Sequence, residues 1–444
     1  MDLQLHFQEH IEDNFPFLKN KKLLIAASGG IDSTVCINLL QNLNFKISLA
    51  HCNFNLRKKD SELDELFVKK EAQNLLIPFF VKSFDTISYA NKNKISVQLA
   101  ARELRYEWFD ELISENHFDY LITAHHLDDS LETFLINLTR GTGLDGLTGI
   151  PVINNNIIRP LMPFTREEIE TFAKIHNIAW REDSSNLETK YLRNKLRHDL
   201  IPILKDLNPN FMNTFARTID NLQGSEQIIK DRMESILHEI EELQGDIHQF
   251  HIGKIKALSN SKAYLFEILK NYGFTDWKEI VSLLDAQSGK QMFSKTHRLV
   301  KDRDFLLLTS VESNGKINTS LIHENDKEFT NKELCLKLEK SNLPSLRSGS
   351  KDGITVDKNL LKFPLIVRKW EKGDYFYPAG MQGKKKLSKY FKDEKLSILE
   401  KEKIWLLCTE ENEIIWVIGK RKDDRFKVTN ETIEILKIEN ETSM

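Results

Sequence analysis

Residues 23–34, Leu-Leu-Ile-Ala-Ala-Ser-Gly-Gly-Ile-Asp-Ser-Thr, constrain this chain more than any other stretch. The apolar run from Leu23 to Ala27 suits a buried parallel strand. It breaks at Ser28-Gly29-Gly30-Ile31-Asp32-Ser33, and Val35, Leu39 and Leu40 then recur at helical spacing. Strand, glycine-rich turn, helix is how α/β proteins cradle a phosphate. The glycines let backbone approach an anion, and the helix N-terminus directs N–H groups and partial positive charge at it. The loop has neither G-x-x-x-x-G-K-[ST] nor G-x-G-x-x-G spacing, and no lysine to grip a γ-phosphate. Asp32 would repel a phosphate unless a metal ion or hydroxyl mediated the contact. The same residues also read as a plain strand-to-helix turn capped by Ser28 or Ser33.

The chain has 444 residues, enough for about two to four domains. Its composition, 40% hydrophobic and 29% charged, is that of a globular protein with ample core. No run approaches the ~20 apolar residues of a membrane span, so no membrane partner is expected. Met1-Asp2-Leu3-Gln4-Leu5-His6 lacks the form of a signal peptide. Cys36, Cys52, Cys335 and Cys408 lie far apart without C-x-x-C, which points away from disulfides and zinc and toward the cytoplasm. A homodimer is compatible with the chain.

Strand-like runs at 23–28, 46–52, 79–83 and 120–125 alternate with helical patterns, the signature of βαβ units with ligands at the carboxyl ends of the strands. Capping boxes are expected at Ser61 and Thr165, a long helix from Val97 to Ile113, and an extended piece over 157–163. The expected fold is α/β: a Rossmann-like parallel sheet in residues 1–210. A mainly helical middle domain, 211–331, follows, including an acidic helix over 234–242, a hairpin (291–293 with 305–309) and a polar linker over 312–331. A small α+β domain occupies 332–444.

A second segment, Thr123-Ala124-His125-His126-Leu127-Asp128-Asp129-Ser130-Leu131-Glu132-Thr133, should emerge at the same sheet edge as the first loop. Leu127, Leu131, Phe134, Leu135 and Leu138 mark its buried face. Asp128, Asp129 and Glu132 gather along one side of the helix and suit Mg²⁺ or an incoming ammonium group. Asp128 and Asp129 also simply complement the helix dipole, which does not account for Glu132 a turn later. The His125-His126 pair reads as packed or catalytic rather than as a metal site.

The net charge of −3 does not by itself suggest nucleic acid, but its distribution does. Over 366–395, nine Lys/Arg face four acids, with Trp370, Tyr375, Phe376, Tyr377, Tyr390 and Phe391 interleaved. Lys190, Arg193, Lys195 and Arg197 form a second basic cluster. Either cluster could instead be a solvated charged face.

The Ser28–Ser33 sequence resembles the S-G-G-x-D-S loop of the N-type ATP pyrophosphatases, or PP-loop enzymes. The Ala124–Thr133 string A-H-H-x-D-D-x-x-E-T narrows the resemblance to the tRNA(Ile)-lysidine synthetase family. So do Ala101-Arg102-Glu103-Leu104-Arg105-Tyr106, Arg140-Gly141-Thr142-Gly143, Arg159-Pro160-Leu161, Asp183-Ser184-Ser185-Asn186, Arg193-Asn194 and the lysine-rich run at 384–393. Phe54 departs from the family's H-x-x-H-x-x-R pattern, which here begins at His51.

The resemblance implies an ATP- and Mg²⁺-dependent ligase. It would join free L-lysine to C2 of the wobble cytidine of the isoleucine tRNA with a CAU anticodon, through an adenylated cytidine. AMP and pyrophosphate would be released, and the modified tRNA would read AUA. ATP would bind Ser28, Gly29, Gly30, Ile31, Asp32 and Ser33, and Asp32 and Asp128 would handle the metal. Asp32, Asp128, Asp129, Glu132 and His126 are the catalytic candidates, with Asp129 and Glu132 on the lysine ammonium. Arg102 or Arg105 would take the lysine carboxylate or phosphate charge, unless they pair with Glu103 or Glu107. Lys190, Arg193, Arg197, Lys384, Lys385, Lys386 and Lys389 would face tRNA. The rivals are a thiolating PP-loop enzyme and an inactive tRNA-binding protein.

Overall fold

A computed structural model describes residues 2–57, 59–182, 192–311, 319–341 and 352–441. The chain divides into two compact units, Met1–Asp231 and Arg232–Met444.

The first unit is built on helix α1 (Leu3–Asn14) and a six-stranded sheet. In chain order come β1 (Lys22–Ala26), α2 (Ile31–Asn42), β2 (Lys46–Asn53), α3 (Lys59–Asn74), β3 (Phe79–Ser83), α4 (Thr86–Asn93), α5 (Val97–Asn116) and β4 (Tyr120–Ile122). Then follow α6 (Leu127–Arg140), α7 (Leu144–Leu147), β5 (Ile153–Asn154), β6 (Ile157–Ile158), α8 (Arg166–Ile175), α9 (Leu192–Lys195), α10 (Ile201–Leu207) and α11 (Phe211–Ile240), whose residues from Arg232 on belong to the second unit. The strand order is β3-β2-β1-β4-β6-β5, parallel except for the β5–β6 pair. The chain reverses direction across the sheet between β1 and β4, so the loops after these two strands border one crevice, where open α/β sheets bind ligands.

Alternation along β1 builds the core on both faces. Leu23 and Ile25 join Phe7, Val35, Leu39, Ile169 and Phe172 on one side; Leu24 joins Trp108, Phe109, Leu112 and Leu121 on the other. Each fully buried Leu or Ile contributes roughly 1.5–3 kcal/mol. The α5 helix matches expectation and is N-capped by Ser96. The Thr165 capping box forms, with Glu168 reciprocating. The Ser61 box does not: α3 starts two residues earlier, and Ser61 Oγ instead accepts from the Arg57 N–H at 3.2 Å. On α6, Leu127 and Leu131 are buried, while Leu138 is 53% exposed and lies off the packed stripe.

The second unit opens with strands as well as helices. Strands Glu241–Gln244, Ile247–His251, Phe305–Ser310, His297–Asp302 and Gln291–Phe293 form one antiparallel sheet in that order. The helix expected through 242 therefore ends at Ile240. The expected hairpin is a three-stranded meander, because His297–Asp302 stands between the two anticipated strands. Strands Ser320–Ile322 and Glu328–Thr330 lie within the stretch read as linker; residues 312–318 fall outside the described set. Among the described residues, two four-stranded antiparallel sheets, with a core that includes Leu336, Val356, Val367, Trp416 and Ile438, and a two-stranded pair, Tyr375–Phe376 with Lys385–Lys386, complete the unit. Among the described residues no helix is long and apolar enough to cross a membrane.

Candidate active site

The glycine-rich loop is shaped by its own short contacts. Gly29 has φ +86°, a region that disfavours side chains, and an added Cβ would lie 3.2 Å from Val68. Gly30 caps α2, Ser33 Oγ donates to the Gly30 carbonyl at 2.9 Å, and Ser28 Oγ lies 3.1 Å from Ser33 Oγ. Behind the loop, buried His51 donates Nδ1–H to the Ala27 carbonyl at 2.8 Å. Burial holds the His51 pKa below its ordinary value, so the ring is a neutral strut. The Arg181 N–H closes the loop from the other side, on the Gly29 carbonyl at 3.0 Å. The loop thus presents the first turn of α2, whose N–H groups have no intrahelical acceptors.

The acids of α6 emerge beside it, each holding a cation. Asp128 accepts from the Arg166 N–H at 2.8 Å and from Lys205 Nζ at 3.1 Å. Burial raises its pKa, but His126, the Arg166 N–H and Lys205 outweigh that and keep it below the usual carboxylate range. Glu132, 1% exposed, accepts from Nε of both Arg193 and Arg197; Asp129 accepts from Arg193 Nη2 at 2.9 Å. Asp129 and Glu132 therefore share a partner, whereas Asp128 turns toward α8 and α10. Asp32 is held by Arg166 Nη1, which contacts both carboxylate oxygens at 2.5 Å.

The adjacent histidines are driven apart. His126 lies 3.6 Å from Asp32, 3.7 Å from Asp128 and 3.5 Å from Asp129. Burial lowers its pKa, yet the three carboxylates outweigh burial and raise it, favouring the imidazolium. At these separations the effect is coulombic, and Nδ1 is buried without a hydrogen-bond partner among the described residues. His125, with Nδ1 2.9 Å from Thr123 Oγ1, is pushed down to about 4, chiefly by burial, and is neutral.

The remaining candidates separate into two groups. Arg102 lies over Tyr106 at 4.9 Å, and Arg105 over Phe54 at 5.2 Å, so the residue that departs from the family pattern serves as an aromatic floor. Arg193 and Arg197, expected on tRNA phosphates, hold Glu132 in this structure. Lys190 and the segment 183–186 lie outside the described residues. In the second unit, Lys384 sits 3.6 Å over Tyr375, and Lys385 pairs with Asp393 at 2.8 Å. A cleft of about 450 Å³ is lined by Pro378, Met381, Lys384, Lys386, Lys389 and Asp393. Of the interleaved aromatics, Phe376, Tyr390 and Phe391 are core, while Tyr375 is 40% exposed. Arg368 is also structural, buried in a two-pronged pair with Asp374 at 2.8 Å.

Sequence reasoning missed Arg166, Lys205 and His51. Arg166 carried a local signal, a cation in the first turn of a capped helix where the dipole disfavours it, and His51 heads the motif from which Phe54 departs.

Among the described residues no three His, Cys, Asp or Glu side chains converge as a metal cage. Two separate carboxylates, Asp32 and Asp128, do fit Mg²⁺, which keeps waters and takes one or two carboxylates beside substrate phosphates.

Sheet order, switch-point loop and acidic helix define the first unit as a PP-loop ATP-binding domain, and residues 2–204 match the family model of the PP-loop domain. Residues 242–311 match the model of the TilS substrate binding domain, and 365–438 that of the TilS substrate C-terminal domain. A tRNA(Ile)-lysidine synthase of Parabacteroides distasonis is 38% identical, over 94% of this chain and 95% of the relative. That of Bacteroides thetaiotaomicron is 37% identical over 98% and 99%, and that of Porphyromonas gingivalis 34% over 92% of each. The chain belongs to the tRNA(Ile)-lysidine synthase family.

Proposed function

We propose that this protein makes lysidine on isoleucine tRNA, joining free L-lysine to C2 of the wobble cytidine of the CAU anticodon at the expense of ATP. The observation that carries the reading is the meeting of the Ser28–Ser33 loop with Asp128, Asp129 and Glu132 at one crevice of the sheet.

The α2 N-terminus and the loop hydroxyls bind the phosphates of ATP. Cytosine O2 attacks the α-phosphorus and pyrophosphate leaves. The lysine ε-amine then attacks C2, the C2–O bond breaks, and AMP departs with that oxygen. Lysine enters as an ammonium ion with a pKa of ~10.4, so it needs carboxylates to recognise it and must lose a proton before attack. Asp129 and Glu132 recognise the ammonium in exchange for part of their contact with Arg193 and Arg197. The released guanidinium groups then face the phosphate charge. His126, whose pKa the neighbouring carboxylates raise, favours the positively charged form beside Asp32 and Asp128. Mg²⁺ held by those two carboxylates would neutralise phosphate oxygens. Arg102 and Arg105, on their aromatic floors, supply the lysine carboxylate with a cation.

Lys384, Lys386 and Lys389 are exposed and line the cleft beside Tyr375, which suits a tRNA backbone with an unpaired base. A thiolating activity is not favoured, because none of Cys36, Cys52, Cys335 and Cys408 pairs with another cysteine and Cys36 and Cys408 are buried. Free thiols also suit a cytoplasmic site of action.

The test is incorporation of labelled lysine into a CAU-anticodon isoleucine tRNA transcript with ATP. The reading requires incorporation that stops when ATP is withheld. Label from a sulfur donor instead of lysine would refute it.

A further inference from the structure

We propose that Arg166 is a pyrophosphate-binding residue of the ATP site, parked on Asp32 in the nucleotide-free enzyme and transferred to phosphate oxygens when Mg²⁺–ATP occupies that carboxylate. The inference rests on the reading that Asp32 handles the metal.

Little local requires the Arg166 side chain: Glu170, one turn along the same helix, pairs with Lys174 at 2.7 Å and feels Arg166 only as a lesser coulombic neighbour. The start of α8 is already capped: Thr165 Oγ1 accepts from the Glu168 N–H at 3.2 Å, and Glu168 accepts from the Thr165 N–H at 2.7 Å. A positive charge in that first turn opposes the helix dipole, whereas Asp32 in the first turn of α2 is already favoured by its own. A cation kept against local preference marks a functional position.

The manner of the contact points the same way. One nitrogen, Nη1, touches both Asp32 oxygens, 134 positions away in sequence. This is not the two-pronged pairing of Arg368 with Asp374, in which two nitrogens each take one oxygen. Among the described residues Nε and Nη2 of Arg166 make no hydrogen bond, so two sides of the fork remain for another anion. The side chains of Arg166 and Asp32 are 42% and 27% exposed, which leaves the pair open to solvent and weak enough to exchange.

The position is also fixed. The Arg166 N–H is tied to Asp128, so the backbone that carries the guanidinium is anchored to the second candidate metal carboxylate. Other charges facing Asp32 are His126 at 3.6 Å and Arg197 at longer range. Neither makes a hydrogen bond to Asp32 among the described residues. Among the described residues, Arg166 alone therefore blocks its oxygens directly. A planar fork next to a helix N-terminus is the donor set that recognises pyrophosphate oxygens.

The experiment compares the wild-type protein with Arg166→Gln, Arg166→Lys and Asp32→Asn by calorimetry. The probes are Mn²⁺ alone, inorganic pyrophosphate with Mg²⁺, and Mn²⁺–ATP. In Arg166→Gln, Mn²⁺ alone should bind several-fold more tightly, because Asp32 is unmasked. Pyrophosphate should bind about ten-fold or more weakly, the value of one charge-assisted contact. Arg166→Lys keeps the charge without the fork, so pyrophosphate binding should fall a few-fold while Mn²⁺ binding stays near wild type. A purely structural ion pair predicts no opposed shifts, and pyrophosphate or Mn²⁺ affinity unchanged in Arg166→Gln would overturn the proposal. Should Arg166→Gln fail to fold, wild-type pyrophosphate affinity in Arg166→Lys would overturn it. If Asp32→Asn leaves Mn²⁺–ATP affinity intact, the metal reading of Asp32 fails instead, whatever the Arg166 variants do.

Discussion

The acidic crevice of the first unit and the basic cleft of the second handle charge in opposite ways. In the crevice every singled-out carboxylate is already engaged: Asp32 by Arg166, Asp128 by Lys205, Asp129 by Arg193, and Glu132 by Arg193 and Arg197. In the cleft Lys384, Lys386 and Lys389 are exposed, with no salt bridge among the described residues. On the proposed function, ligands would enter the crevice by exchanging partners, which favours selectivity for groups that bring their own compensating charge. The cleft offers uncompensated charge to any phosphate backbone, a source of affinity and salt dependence but of little selectivity. On that reading, chemistry and capture are built from the same residue types under different pairing.

Four experiments probe this contrast, from the largest expected effect to the smallest. In the cleft region Phe391 is wholly buried, so Phe391→Ala should cost about 3–5 kcal/mol of unfolding free energy in denaturant titration. Tyr375→Ala, at an exposed ring, should cost under about 1 kcal/mol and instead weaken tRNA binding. Equal losses of stability would erase the distinction between core and surface aromatics.

In the crevice, Glu132→Gln leaves two guanidinium groups without their buried counter-charge. We expect a stability loss of roughly 2 kcal/mol, discounted because both arginines are partly exposed, and a raised lysine KM. An unchanged lysine KM removes Glu132 from ammonium recognition.

The pH dependence of stability tests the neutral histidine. His125 has a folded pKa of about 4 against an ordinary 6.5, so between those values the unfolded chain binds more protons. Its contribution is therefore full above pH 6.5 and is lost as pH falls toward about 4. The amount is about 2 kcal/mol, reduced from the full shift because the ring is not wholly buried. His125→Asn should flatten that limb of the stability–pH curve; a curve of unchanged slope would contradict the assignment. His126 has the opposite sign: its raised pKa adds stability below 6.5 that is lost as pH rises through the folded value.

The smallest effect is expected from Lys384→Ala/Lys386→Ala/Lys389→Ala. Its tRNA affinity should fall, and its salt slope should become shallower by about one for each phosphate no longer neutralised, while pyrophosphate binding is unchanged. An unaltered salt slope would show that the cleft does not meet phosphate.

Much of the first unit was legible because its signals are contiguous: a strand, a loop and a helix within residues 22–42, and again within 120–140. What the carboxylates touch was not legible. Arg166 reaches Asp32 across 134 positions and Arg193 reaches Glu132 across 61, distances that no periodicity spans. The acids could be named from sequence, but their neutralised state could not. Strand His297–Asp302 was missed because His, Arg, Lys and Asp mask its alternation, although Leu299 and Val300 are fully buried. In 366–395 the aromatics interleave with lysines in sequence, but folding sends Phe376, Tyr390 and Phe391 inward and leaves Tyr375 outside. Ser61 offered the right cap chemistry too late in the chain, because α3 had already begun at Lys59.

The central claim is that the Ser28–Ser33 loop splits ATP between its α- and β-phosphates and passes AMP to the tRNA. A single turnover with ATP labelled at the α-phosphate, CAU-anticodon isoleucine tRNA and no lysine tests it most directly. The account predicts label on the tRNA together with free pyrophosphate, and release of that label as AMP when lysine is added. Label recovered only as ADP, with inorganic phosphate as the other product, would contradict it.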